Sequence, residues 1–126
     1  MPTPDAIRQL DGPALCLLAY ELGLAPEGAW VGWPSPGDVC VDRDLWRPQT
    51  DLDTADAVFR SLRARGWTTS CCWFADDRQH GDVFAATQGR AVGVHWPRDG
   101  PTEAMALLLC AVLAAASEGG PHDAQR

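Results

Sequence analysis

Trp30, Trp33, Arg43, Trp46 and Arg47 gather the residues best suited to hold a ligand into one stretch of chain. Indole faces stack on nucleobases or pack against a peptide, and guanidinium forks bind phosphate oxygens in pairs. Read as a site, this set points to a small molecule, a nucleotide or a protein partner. Read as structure, the same indoles staple an irregular segment onto a core, the commoner fate of large aromatics. The surrounding stretch, residues 24–49, is broken by Pro26, Pro34, Pro36 and Pro48. Short strands are expected at 29–33 and 39–41, and the prolines confine them to edges. Irregular segments this long are often functional in a small domain.

Other reactive groups form weaker patterns. Cys40, Cys71, Cys72, His80 and His95 are zinc-ligand types, but no CxxC pair exists. Adjacent strand residues point to opposite faces, so Cys71 and Cys72 do not readily share one ion. Cys16 and Cys110 sit in apolar helical runs, where a reduced thiol acts as a small hydrophobe. Five cysteines at irregular spacing do not make a disulfide framework. Asp76, Asp77, His80 and Asp82 cluster at an expected hairpin turn. Carboxylates there could take calcium or magnesium, yet Asp favours turns for its own geometry and the spacing is that of no calcium loop. No nucleophile elbow, glycine-rich phosphate loop or HExxH is present. Ser35, Ser61, Ser70 and Ser117 have no local His partner. His95 is the one candidate general base, and it needs Asp82 beside it inside a cleft. The expectation is therefore no catalytic residue, no metal and no cofactor.

These residues depend on the elements that carry them. A short helical turn is expected at 5–10. Asp11-Gly12-Pro13 starts a helix over 13–22, stopped by Gly23. Leu52, Ala55, Val58, Phe59 and Leu62 recur at helical spacing and predict a helix over 52–65, ended by Gly66. Its Asp51, Asp53 and Asp56 lie near the start and Arg60, Arg63 and Arg65 near the end, matching the helix dipole. Three strands follow at 67–74, 82–87 and 91–96, joined by turns at 76–81 and 88–90, an antiparallel meander. The last helix, 101–116, is apolar on nearly every side and must be buried on more than one face. Its second use would be a homodimer interface. Residues 117–126 read as a tail.

Composition narrows the classes. A chain of 126 residues, 46% apolar, is one domain with a core. Seventeen acidic and ten basic residues give a net charge of -7, which argues against general nucleic-acid binding, since that needs clustered cations. All ten basic residues are Arg, no Lys or Asn occurs, and Ile7 is the one Ile, a bias of a GC-rich genome. No apolar run approaches the ~20 residues of a membrane span, and the N-terminus lacks the pattern of a signal peptide. A cytoplasmic location is expected.

Several pieces, in order, resemble one family. They are Ala14-Leu15-Cys16-Leu17-Leu18-Ala19 with Leu22-Gly23, the Trp-rich middle, Pro48-Gln49-Thr50-Asp51 leading into Ala55-Asp56-Ala57-Val58-Phe59, Arg65-Gly66-Trp67, the hairpin strands, and the run from Glu103 to Leu113. Over residues 5–116 the chain resembles the phage ABA sandwich domain family, small proteins of phages and prophages. It departs from the family at Gln49, where members often carry an aromatic. The resemblance implies a sheet between helix layers and no catalytic residues. The resulting expectation is an α+β domain over 1–116, a three-layer α/β/α sandwich with an antiparallel sheet and three helices. Its expected role is that of a phage or prophage accessory protein acting by binding. The alternatives are a nucleotide sponge that counters host defence, an immunity-type inhibitor, an enzyme built on His95 and Asp82, and an acidic DNA mimic.

Overall fold

The structure is a computed structural model and describes residues 2–26, 46–74, 77–96 and 102–118. Among these residues, four α-helices and a three-stranded antiparallel sheet make an α+β fold: α1 (Pro4–Arg8), α2 (Gly12–Glu21), α3 (Leu52–Arg60), β1 (Thr68–Phe74), β2 (Asp77–Thr87), β3 (Arg90–Trp96) and α4 (Glu103–Glu118).

Local chemistry sets the helix ends. The Asp11 carboxylate accepts from the Ala14 N–H at 2.9 Å, capping α2. Gly23 and Gly66, with φ of 79° and 92°, take the left-handed turns that end α2 and the 52–65 helical stretch. That stretch is not one uniform helix. Its last residues, Ser61–Arg65, tighten into a 3-10 turn, a usual way of finishing a helix.

The strands pair in the order β1-β2-β3. The expected turn at 76–81 is corrected: β2 already starts at Asp77, which pairs with Phe74 across a register shift after Trp73. The polar run 77–81 looks like a turn by composition, and pairing through an irregularity makes it strand.

Layer order is the larger difference. One sheet face presents Val83, Ala85, Val94 and Trp96 to the core. On it lies α4, which packs against β2 and β3 on one side and against α1, α2 and α3 on the other. Ten α4 residues are buried, including Leu107, Leu108, Cys110 and Val112. The opposite sheet face carries Ser70, Cys72, Phe84, Gly93 and His95, all exposed. Among the described residues, then, α4 and not the sheet is the middle layer, and four helices replace the expected three. Most of the α4 run is therefore buried within the chain. Ser117 and Glu118, expected in the tail, complete α4. Among the described residues, no helix is long and apolar enough to cross a membrane.

The end of α4 is tied down. The Glu118 carboxylate accepts from Trp67 Nε1 at 2.6 Å and pairs with Arg65 Nη1 at 3.0 Å, while Arg65 Nη2 donates to the Leu22 carbonyl at 3.0 Å. A carboxylate at a helix C-terminus opposes the dipole. The two donors explain why one is tolerated there.

A candidate binding cleft beside helix α3

A cleft of about 650 Å³ opens between α3 and the chain that leaves α2. One wall is Gly23 to Pro26 with Trp46. The other is a stripe of α3 and its 3-10 extension, where Asp53, Ala57, Ser61 and Arg65 recur every fourth residue. Thr54, Val58 and Ala64 fill the flanks of that stripe. Residues three and four apart share a helix face, so the wall is one continuous strip. Val58 and Leu24 are buried at its base, and Ala57, Ser61 and Ala64 are exposed and small. Small side chains on a helix flank leave room beside it, and that room is the cleft.

Most polar groups of the lining are already occupied. Ser61 Oγ donates to the Val58 carbonyl at 2.6 Å. Thr54 Oγ1 donates to the Asp51 carboxylate. Arg65 is held by Glu118 and the Leu22 carbonyl. Asp53 is exposed and has no hydrogen-bond or ion-pair partner among the described residues. The described lining contains neither His nor Cys.

Of the ligand-binding set expected from the sequence, Trp46 and Arg47 lie among the described residues. Trp46 lines the cleft, is 9% exposed, and its carbonyl accepts from Cys16 Sγ at 3.5 Å. Arg47 is half-buried and lies outside the lining; its carbonyl accepts from the Asp51 N–H at 2.9 Å, holding the turn into α3. Trp30, Trp33 and Arg43 lie outside the described residues, as do Cys40 and Asp76. Spacing did not single out Ala57, Ser61 and Ala64. Their only signal was a second, small-residue stripe next to the apolar face of the same helix.

Asp82 and His95 do come together. Asp82 Oδ1 and His95 Nδ1 are 2.9 Å apart. Their setting is the exposed sheet face, where Cys72, Asp82 and His95 sit in register across β1, β2 and β3. Asp82 lies between the other two, so the imidazole does not stand between thiol and carboxylate as a Cys-His-Asp arrangement requires. Neither Asp82 nor His95 is among the described lining residues of the cleft beside α3. Cys71 points to the other face, its thiol 4.0 Å from Glu103 Oε2, as strand alternation requires. No cluster of three metal-ligand residues occurs among the described residues.

Burial sets the state of the core thiols. Loss of solvent pushes Cys16 up to about 11 and Cys110 up to about 12, and the Arg8 guanidinium only partly opposes the second shift. Both thiols are therefore protonated and unreactive at neutral pH. Their Sγ atoms contact the carbonyls of Trp46 and Val92.

The comparisons add no family: no protein-family model, curated protein or solved structure matches the chain.

Proposed function

We propose that this chain acts by binding and not by catalysis, as a small accessory protein of phage or prophage type whose ligand enters the cleft beside α3. The phage assignment rests on the resemblance of residues 5–116. The binding reading rests on one observation, an apolar cleft of about 650 Å³ whose hydroxyls and Arg65 are already bonded within the chain. That volume falls within the ~300–1,000 Å³ range of small-molecule sites. Polar groups already spent on the fold leave shape and apolar contact to do the recognition. A phosphate-bearing ligand draws less support, because the one cation in the described lining, Arg65, is engaged by Glu118.

The test uses the neutral dye N-phenyl-1-naphthylamine, which brightens in apolar surroundings. The full chain should enhance its fluorescence with saturation. Ala57→Phe fills the cleft from an exposed helix position and should abolish the enhancement without lowering Tm by more than about 2 °C, a surface-sized effect. Equal enhancement by both proteins would remove the cleft as the binding surface.

A further inference from the structure

We infer that the ligand of this cleft is an organic cation, an amine or guanidine carried on an apolar body. The inference rests on the binding reading above and adds the charge of the ligand.

Among the described residues, two ionised side chains line the cleft, Asp53 and Arg65. Arg65 is neutralised, with Glu118 Oε1 at 3.0 Å from Nη1 and the Leu22 carbonyl at 3.0 Å from Nη2. Asp53 has no partner among the described residues. The described lining therefore keeps one uncompensated negative charge. Asp53 stands in the first turn of α3, whose N-terminal dipole amounts to roughly half a positive charge. That offsets only part of a full carboxylate, so the local field stays negative. The chain as a whole carries -7, which draws cations toward the protein and discourages anions. Trp46 lines the same cleft, and an indole is the best aromatic partner for a cation. Leu24, Ala57 and Val58 supply apolar contact for the rest of the ligand. An alkylammonium joined to one or two rings matches the charge, the indole and the volume together.

Three probes of one shape separate charge from shape: 2-(2-naphthyl)ethylammonium, 2-(2-naphthyl)ethanol and 2-naphthylacetate, titrated calorimetrically into the full chain at low salt. The ammonium should bind about fivefold more tightly than the alcohol, the scale of a solvent-exposed ion pair, and the carboxylate more weakly than the alcohol. Raising the salt should shrink the ammonium's advantage. Asp53→Asn should erase the ammonium's advantage over the alcohol. Ala57→Phe should abolish binding of all three. Equal affinities for ammonium and alcohol, or an advantage that survives Asp53→Asn, would overturn the cation inference while Ala57→Phe sensitivity upheld the cleft. Binding of none of the probes, or binding unmoved by Ala57→Phe, would overturn both.

Discussion

Gly81 is the position where one added methyl should do the most damage. It lies in β2, between Trp73 of β1 and Trp96 of β3 in the pairing register. A Cβ built there would fall 2.1 Å from the Cys72 carbonyl oxygen and 2.6 Å from Trp96 Cη2. The first obstacle is backbone on a paired strand, which cannot swing aside. The second is a ring only 1% exposed, enclosed by the core. Overpacking a core usually costs about 1–3 kcal/mol, and two contacts this short place Gly81→Ala at the upper end, ~3 kcal/mol. Replacing Gly also restricts the unfolded chain, which returns ~0.5 kcal/mol. The net loss is then about 2.5 kcal/mol, or a Tm fall of about 10 °C for a chain of this size. Gly93→Ala is the internal control. Its Cβ would meet only the Phe84 ring, at 3.3 Å and 3.4 Å, and that ring is 49% exposed and free to turn. Its stability should stay within about 0.5 kcal/mol of the parent. Urea unfolding of the three proteins, followed by Trp fluorescence, reads both numbers. If Gly81→Ala and Gly93→Ala gave the same midpoint, the close approach of β1, β2 and Trp96 would be wrong.

Two further outcomes test the clamp and the buried thiols. Glu118→Ala strands Trp67 Nε1, on a residue 3% exposed, and should cost about 1–2 kcal/mol; Glu118→Gln keeps an acceptor and removes an unfavourable helix-end charge, so it should cost less than half as much. Equal losses in thermal unfolding would mean that Arg65, not Trp67, carries the contact. Cys16 and Cys110, pushed up to about 11 and 12 from an ordinary 9.0, should resist Ellman's reagent at pH 8. Their thiolate fractions there are about 100-fold and 1,000-fold below that of an unshifted thiol, so exposed Cys72 should react first. Because both pKa values are raised on folding, the stability they carry is complete below pH 9 and lost as pH climbs through about 11 and 12. Cys16→Ala/Cys110→Ala should therefore lose less stability than the parent between pH 9 and 11, and parallel losses in urea would refute that origin.

The layer order shows what the sequence made legible and where the reasoning stopped short. Asp11, Gly23 and Gly66 sit where helix ends were expected because each acts through its immediate neighbours. Strand order and antiparallel sense were readable for the same reason, since short connections permit little else. The sandwich with the sheet at its centre followed from the resemblance and from three helices being available to cover the two faces of the meander, and two features of the chain already opposed it. A sheet covered on both faces should have apolar residues on both faces of each strand. Here β3 alternates, with Val94 and Trp96 inside and Gly93 and His95 outside, the signature of a sheet packed on one side. The final helix shows the opposite pattern, apolar all round, which a middle layer needs. Alternating strands joined to an unpatterned helix demand that the helix lie between the sheet and the other helices, as it does.

The cleft was hidden for a different reason. Periodicity weighs large apolar side chains, and on α3 these point Ala55, Val58, Phe59 and Leu62 at the core. Ala57, Ser61 and Ala64 contribute almost nothing to such a pattern, since their effect is to occupy little space. A cavity is built from volume that is missing, and whether missing volume becomes a cleft or plain solvent depends on what faces it. Here the facing wall is Trp46 together with Gly23 to Pro26, the latter more than twenty residues before α3 in the chain. Trp46 was singled out with Arg47 as a neighbour in sequence, yet the fold turns the two to different tasks. Trp46 lines the cleft, while the Arg47 carbonyl holds the turn that starts α3. Asp53 was assigned to the helix dipole, which is a sufficient local reason for an acid there. The neutralisation of Arg65 by Glu118, a contact across 53 positions of chain, leaves Asp53 as the uncompensated charge of the described lining.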